Sequence, residues 1–171
     1  SKGGIVDTAI SAVTNTPFAP LHREYTMLDR DPPQGRQQRK KLPAWSFRKE
    51  ICKLVDTHQV VVVCGETGCG KTTQVPQFLL DLNEGNGEDV SIVVTQPRRI
   101  SAISVADRVA FERRDKIGNT VGYQIRNEKK SSSNTRLLFC TIGVILRRLQ
   151  VDATLSDLTH IVVDEIHERG V

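Results

Sequence analysis

Residues 65–72 read Gly-Glu-Thr-Gly-Cys-Gly-Lys-Thr, a G-x-x-x-x-G-K-T pattern. These residue types at this spacing hold a polyphosphate. Gly65, Gly68 and Gly70 let the backbone turn tightly and bring its N–H groups near phosphate oxygens, with Glu66, Thr67 and Cys69 completing the loop. Lys71 then reaches the β/γ-phosphates and the Thr72 hydroxyl ligates Mg2+, with Thr73 next along the same helix start. The flanks agree with this reading. The run 60–64 upstream, four β-branched valines and a cysteine, predicts a buried parallel strand, and residues 72–80 begin a helix whose N-terminus adds positive potential. A chance glycine-rich turn is the alternative, and the filled positions with correct flanks argue against it.

A second group of chemically capable residues is Asp164-Glu165-Ile166-His167, after the apolar strand residues 161–163. An acidic residue at a strand tip is what a phosphate-binding loop needs to complete a metal site. Asp164 would hold Mg2+, mostly through water, because Mg2+ dehydrates reluctantly. Glu165, beside the same metal, is placed to orient and deprotonate an attacking water. His167 is expected to couple the nucleotide site to a neighbouring element rather than to take a direct chemical step.

Between these motifs, Arg98 and Arg99 precede a helix at the end of another strand, with hydroxyls nearby. They could bind a phosphodiester backbone through charge and helix-terminal N–H groups. From the residues alone, a structural salt-bridge role is equally open.

Each of these groups must be held at the end of a strand, and the chain supplies the strands. Strands are expected at 60–64, 90–95, 121–125, 136–140 and 159–163, and helices at 71–82, 99–114 and 142–150. Such alternation predicts an α/β fold, a mainly parallel sheet in a three-layer αβα sandwich, with ligands beyond the carboxyl ends of the strands. A helix beginning at Pro43 carries Trp45, Ile51, Leu54 and Val55 on its apolar stripe. The stretch 127–134 reads as a polar loop.

Residues 1–41 are poorly patterned and are expected to form an arm or linker ahead of a domain spanning 42–171. A short helix over 5–13 is the one element suggested there. The run Arg36-Gln37-Gln38-Arg39-Lys40-Lys41 reads as a solvated linker rather than a nucleic-acid contact. The length of 171 residues suits one domain with a real core, and 38% apolar content fits a soluble globular chain. No apolar run approaches a membrane span, so no membrane partner is expected. Cys52, Cys64, Cys69 and Cys140 lack zinc-type spacing and read as reduced thiols of an intracellular protein. A net charge of +4 permits an acidic partner without arguing for one. The chain opens on Ser1 and stops at Val171, straight after a charged motif, and so reads as a piece of something longer.

Five stretches occur here in order: G-E-T-G-C-G-K-T, T-Q-P-R-R-I-S-A-I-S-V-A, V-G-Y-Q-I-R, C-T-I-G-V-I-L-R and D-E-I-H-E-R. Together they resemble the DEAH-box/RNA helicase A-like RNA helicases of helicase superfamily 2, over roughly residues 42–171. The D-E-I-H variant looks closest to the branch with RNA helicase A, the G-quadruplex-resolving helicases and the YTH-domain helicases. The resemblance implies a RecA-like lobe of the P-loop NTPase class that uses ATP with Mg2+ and acts on single-stranded RNA through its backbone. It places residues 65–72 in motif I and 164–167 in motif II. Arg98 and Arg99 fall in motif Ia on the RNA backbone, and Thr141 and Gly143 fall where motif Ib touches RNA phosphates. Ile142 stands where the family often has Asp or Thr. Arg108 falls where the family stacks an arginine on adenine. The Ser-Ala-Thr motif, the second RecA-like lobe with its arginine fingers, and the C-terminal domains are not in these 171 residues.

The expectation is therefore the ATP-binding lobe of an ATP-dependent RNA helicase that works in the nucleus, the cytoplasm or both. The alternative is a truncated piece that binds nucleotide, with or without RNA, and turns nothing over by itself. A different P-loop machine, such as a transporter ATPase or a nucleotide kinase, lacks support; the signature sequence that an ABC protein would need is not visible here.

Overall fold

The structure, a computed structural model, describes residues 38–168 together with the backbone of residues 10–12. They fall into two compact units that divide between Gly87 and Glu88.

The first unit carries the glycine loop. Pro43 opens a short helix α1 (Pro43–Ser46), as its fixed φ favours at a first helical position. Phe47, at φ −94° and ψ 3°, breaks the chain from α2 (Arg48–Thr57), so the single helix expected from Pro43 is two. Ile51 and Cys52 are buried, and the Trp45 ring meets Phe78 edge-on, 5.8 Å between centres. The long helix α3 (Lys71–Gly85) begins directly at the loop and buries Phe78, Leu79, Leu80 and Leu82. It runs three residues beyond the expected end because Asn83, expected in a loop, is buried and its side-chain amide donates to the Leu79 carbonyl at 2.7 Å.

The strand before the loop differs from expectation. A backbone ladder joins β1 (Ile10–Ala12) antiparallel to β2 (Val61–Val63), with Ile10 opposite Val63 and Ala12 opposite Val61. The valines of β2 are half-buried, and Val60 is half exposed. A β-branched run specifies extended backbone, but neither the direction of its partner nor the cover on its two faces. Residues 10–12 are a strand, not part of the helix expected over 5–13; the rest of that helix lies outside the described residues. So does most of the arm 1–41, but Arg39 in its basic run is 1% exposed and not solvated.

The second unit is a five-stranded sheet in the order β5-β4-β6-β3-β7. Its strands are β3 (Ile92–Gln96), β4 (Val121–Ile125), β5 (Glu128–Lys130), β6 (Leu137–Thr141) and β7 (His160–Val163). β4, β6, β3 and β7 run parallel, as the α/β reading requires. Only β5 is antiparallel, returning on β4 after the two-residue loop Arg126-Asn127, inside the stretch expected to be a polar loop. Two helices complete the unit, α4 (Arg99–Glu112) and α5 (Ile142–Val151). The connection through α4 moves from β3 towards β4, and that through α5 moves from β6 towards β7. Right-handed crossovers running opposite ways set their helices on opposite faces of the sheet. The burial pattern agrees: Ile145 of α5 packs with Val93 and Cys140, while Val94 and Phe139 point the other way and are fully buried. β3 lies between β6 and β7 and is buried throughout. Where crossovers diverge, the carboxyl ends of the strands open a crevice, and the candidate residues of this unit other than Arg108 lie around that end.

Candidate nucleotide and RNA sites

In the first unit, the loop has the backbone its glycines predict. Gly68 and Gly70 adopt left-handed φ values of 82° and 99°, which side-chain-bearing residues avoid. Gly70 caps α3, and Lys71, Thr72 and Thr73 form the first turn of that helix, where backbone N–H groups have no intrahelical acceptor. The Lys71 ammonium folds back over the loop, donating to the Gly65 carbonyl at 2.5 Å, the Glu66 carbonyl at 2.9 Å and Cys69 Sγ at 3.5 Å. One positive charge and a helix N-terminus therefore converge on a tight backbone turn, the arrangement that attracts a phosphate chain. Glu66, Thr67 and Gly68 are exposed along the rim, Thr72 is half-buried, and Cys69 is buried.

In the second unit, Asp164 follows β7 directly. Its Oδ2 accepts from Gln96 Nε2 at 2.8 Å, and its Oδ1 accepts from the Glu165 N–H at 3.0 Å. The carboxylate is thus fixed in orientation while lone pairs remain on both oxygens. Glu165 turns the chain sharply with a left-handed φ of 50°, unusual for a residue with a side chain. The Glu168 N–H closes that turn on the Glu165 carbonyl at 2.8 Å. His167 Nε2 lies 3.2 Å from Glu165 Oε2, so the histidine bears on the carboxylate expected to handle water. Sequence reasoning named Asp164 and Glu165 but not Gln96, which sits in the arginine motif and whose pairing depends on strand register.

Arg98 caps α4 with extended backbone, and its Nη2 lies 3.3 Å from Glu168 Oε1. Arg99 begins the helix and is exposed. Thr141 caps α5, and Gly143 in its first turn is exposed, with nothing within 4 Å of the place a Cβ would take. Internal packing among the described residues does not require glycine there. Arg108 lies further along α4 and donates from Nε to Glu112 Oε1 at 2.7 Å, a buried acid one turn on. That pairing holds its guanidinium along the helix surface.

The structure brings Asp164, Glu165, His167, Arg98 and Glu168 into one hydrogen-bonded and ion-paired neighbourhood within the second unit, while the nucleotide loop is complete within the first. Thr72 and Asp164 both offer hard oxygen donors of the kind Mg2+ takes. Among the described residues, no helix is long and apolar enough to cross a membrane.

A family model of the DEAD/DEAH box helicases matches residues 45–171. DHX57 of Mus musculus is 63% identical over 136 residues, covering 78% of this chain and 10% of that protein. The DExH-box ATP-dependent RNA helicase DExH1 of Arabidopsis thaliana is 58% identical over 135 residues, 78% of this chain and 14% of that protein. The ATP-dependent DNA/RNA helicase DHX36 of Homo sapiens is 54% identical over 138 residues, with the same two shares. The chain thus spans between 10% and 14% of the length of these relatives. A glycine loop at the start of a helix, a strand-end Asp-Glu pair in an α/β sheet and the match over 45–171 agree: this chain belongs to the DEAD/DEAH box helicase family.

Proposed function

We propose that the chain is the ATP-binding lobe of an intracellular ATP-dependent RNA helicase. In this reading, residues 65–73 hold the ATP phosphates, and Arg108 stacks on the base. Thr72 of the first unit, and Asp164 and Glu165 of the second, are the oxygen donors that would take Mg2+, which would neutralise charge on the phosphates. Glu165 takes the proton of the attacking water, and His167 positions that carboxylate through their 3.2 Å contact. Arg98, Arg99, Thr141 and Gly143 contact the backbone of single-stranded RNA. The observation that carries the reading is the Lys71 ammonium gathered over the Gly65 and Glu66 carbonyls at the start of α3.

Because the relatives are many times longer, turnover belongs to the whole protein, and this chain supplies binding. Arginine fingers from a second lobe are worth ~10³–10⁵ in rate in related P-loop enzymes. The test is a titration of the chain with fluorescent ADP or ATP and Mg2+, beside steady-state ATPase with and without RNA. Saturable binding lost in Lys71→Ala, with little turnover from this chain and RNA-stimulated turnover once the second lobe is present, is the expected result. Robust RNA-stimulated turnover by residues 1–171 alone would show the catalytic parts to be misassigned.

A further inference from the structure

We propose that the segment from Arg39 to Ala44 is a strap that sets the shape of the phosphate-binding loop, with Arg39 as its positioning residue. The inference rests on the nucleotide-loop reading above, and all its residues lie in the first unit. Arg39 also precedes the stretch, 45–171, that the family model matches.

A guanidinium at 1% exposure persists only when it is paired. Among its contacts, Arg39 Nε donates to Gln74 Oε1 at 2.6 Å, and Nη2 lies 3.4 Å from Asp81 Oδ2. Its guanidinium carbon sits 5.2 Å from the centre of the Trp45 ring. Arginine only donates, so the oxygen of the Gln74 amide must be the atom that faces it. That leaves the Gln74 nitrogen pointing at the neighbouring residue, where it donates to Thr73 Oγ1 at 2.9 Å. The Thr73 hydroxyl in turn faces the Gly70 carbonyl at 3.5 Å. One buried cation therefore orients a chain of polar groups that ends at the loop.

The same segment touches the loop twice more. The Ala44 N–H donates to the Cys69 carbonyl at 3.0 Å, and Leu42 lies against Gly70. A Cβ on Gly70 would stand 3.1 Å from Leu42 Cδ1 and 3.2 Å from Gln74 Cγ, a tight fit against the strap at a position whose φ of 99° already favours glycine. In a planar trans peptide the C=O and the following N–H point opposite ways. With the Cys69 carbonyl held by the strap, the Gly70 N–H is directed away from the strap. The strap thus fixes the plane of the Cys69–Gly70 peptide, next to the one that leads into Lys71.

The consequence is an affinity effect without a direct ligand contact. A loop that takes its binding geometry about one tenth of the time binds about tenfold more weakly. The experiment uses the full chain, fluorescent ADP with Mg2+ as probe, and a temperature at which each variant is folded. Arg39→Met is expected to weaken ADP about tenfold. Asp81→Asn removes the negative charge beside the guanidinium without touching Gln74, and is expected to lower the melting temperature while leaving ADP affinity within about twofold of wild type. Gln74→Glu keeps an acceptor for Arg39 but cannot donate to Thr73. It is expected to fold and to bind ADP more weakly, which keeps the proposal testable should Arg39→Met not fold. Unchanged ADP affinity in Gln74→Glu, or in a folded Arg39→Met, overturns the strap while wild-type binding and its loss in Lys71→Ala leave the nucleotide reading standing. No ADP binding by the wild type overturns both.

Discussion

Gln96 and Asp164 stand side by side at the carboxyl ends of two neighbouring parallel strands, and the amide of one donates to the carboxylate of the other at 2.8 Å. Register explains the pairing: Thr95 lies opposite Val163, so the next residues along β3 and β7 meet. Asp164 is held on its other oxygen by the backbone N–H of Glu165. Outer partners of this kind typically govern metal affinity or activity by ~10–100-fold. Gln96→Ala, in a protein carrying both lobes, is expected to raise the Mg2+ needed for half-maximal ATPase by about tenfold at the lower end of that range. An Mg2+ titration unchanged from wild type would count against Asp164 as the metal-bearing residue.

In the proposed reading, Lys71 serves binding and Glu165 serves chemistry. Lys71→Ala removes the charge facing the phosphates and should weaken nucleotide binding. Glu165→Gln keeps the shape of the side chain but loses the base. With both lobes present it should retain nucleotide affinity while hydrolysis is abolished. Measuring affinity and turnover on the same preparations checks the division. Equal losses of affinity in the two variants would refute it.

Gly122 of β4 is glycine because the returning hairpin leaves no room. A Cβ there would stand 2.5 Å from the Lys130 carbonyl oxygen, a backbone atom that cannot swing aside, and 3.1 Å from Ser131 Cβ. Gly122→Ala is expected to destabilise the fold by about 1–3 kcal/mol, the usual cost of overpacking, read from urea unfolding. Gly143→Ala is its counterpart. It meets nothing within 4 Å and sits in a helix, where alanine is favoured over glycine, so stability should hold or rise. If Gly143 does meet RNA, the same change should weaken RNA binding despite intact stability.

The contrast shows which features were legible in the sequence. β3, β4, β6 and β7 were readable because short stretches rich in β-branched and other apolar residues alternate with helical patterns, which is the order of a parallel sheet with crossover helices. β5 was not, because Glu128-Lys129-Lys130 is charged and exposed, and the turn before it has no glycine. Charge on that outer strand suits an edge that must not recruit another chain. Arg39 was misread because a run of basic residues usually lies in solvent. What buries this one is a pair of polar side chains on α3, Gln74 and Asp81, at 35 and 42 positions' remove. The glycine loop and the strand-end acids were legible as motifs because each is a contiguous stretch of sequence. Their supports Gln96 and Ala44 were not, because long-range contacts leave no spacing rule.

Cys140 makes a pH prediction. Burial pushes its thiol up from 9.0 to about 11, partly opposed by Arg148. In the unfolded chain the thiol ionises near 9, while the folded thiol keeps its proton. Between pH 9 and about 11 the unfolded state therefore binds fewer protons, and stability falls as pH rises. Below pH 9 the group contributes no slope. The full effect is about 3 kcal/mol at most, from two pH units at ~1.4 kcal/mol each. Comparing urea midpoints of wild type and Cys140→Ala from pH 8 to 11 isolates it, because lysines and tyrosines titrate alike in both. Parallel curves for the two proteins would show that the thiol is not sheltered.

The arginines at the start of α4 pose a choice between RNA and structure, and the geometry makes the choice measurable. Arg98 pairs with Glu168 at 3.3 Å, but its side chain is 73% exposed. A pair so open to water is worth at most ~1 kcal/mol. If Arg98 and Arg99 hold phosphates, they meet charge and not base edges. Alanine at both should then weaken binding of unrelated single strands about equally. Each lost phosphate contact removes ~0.7 from the slope of log affinity against log salt, so the double variant should lose ~1.4. Glu168→Gln removes the internal competitor for Arg98 and should strengthen RNA binding at low salt without steepening loss of stability. The measurements are RNA affinity across a salt series and melting temperature, on a protein with both lobes, which offers the whole groove. A structural role predicts the reverse pattern: a lower melting temperature in the double variant with its salt slope intact. That pattern would remove Arg98 and Arg99 from the RNA site and leave the nucleotide loop where it stands.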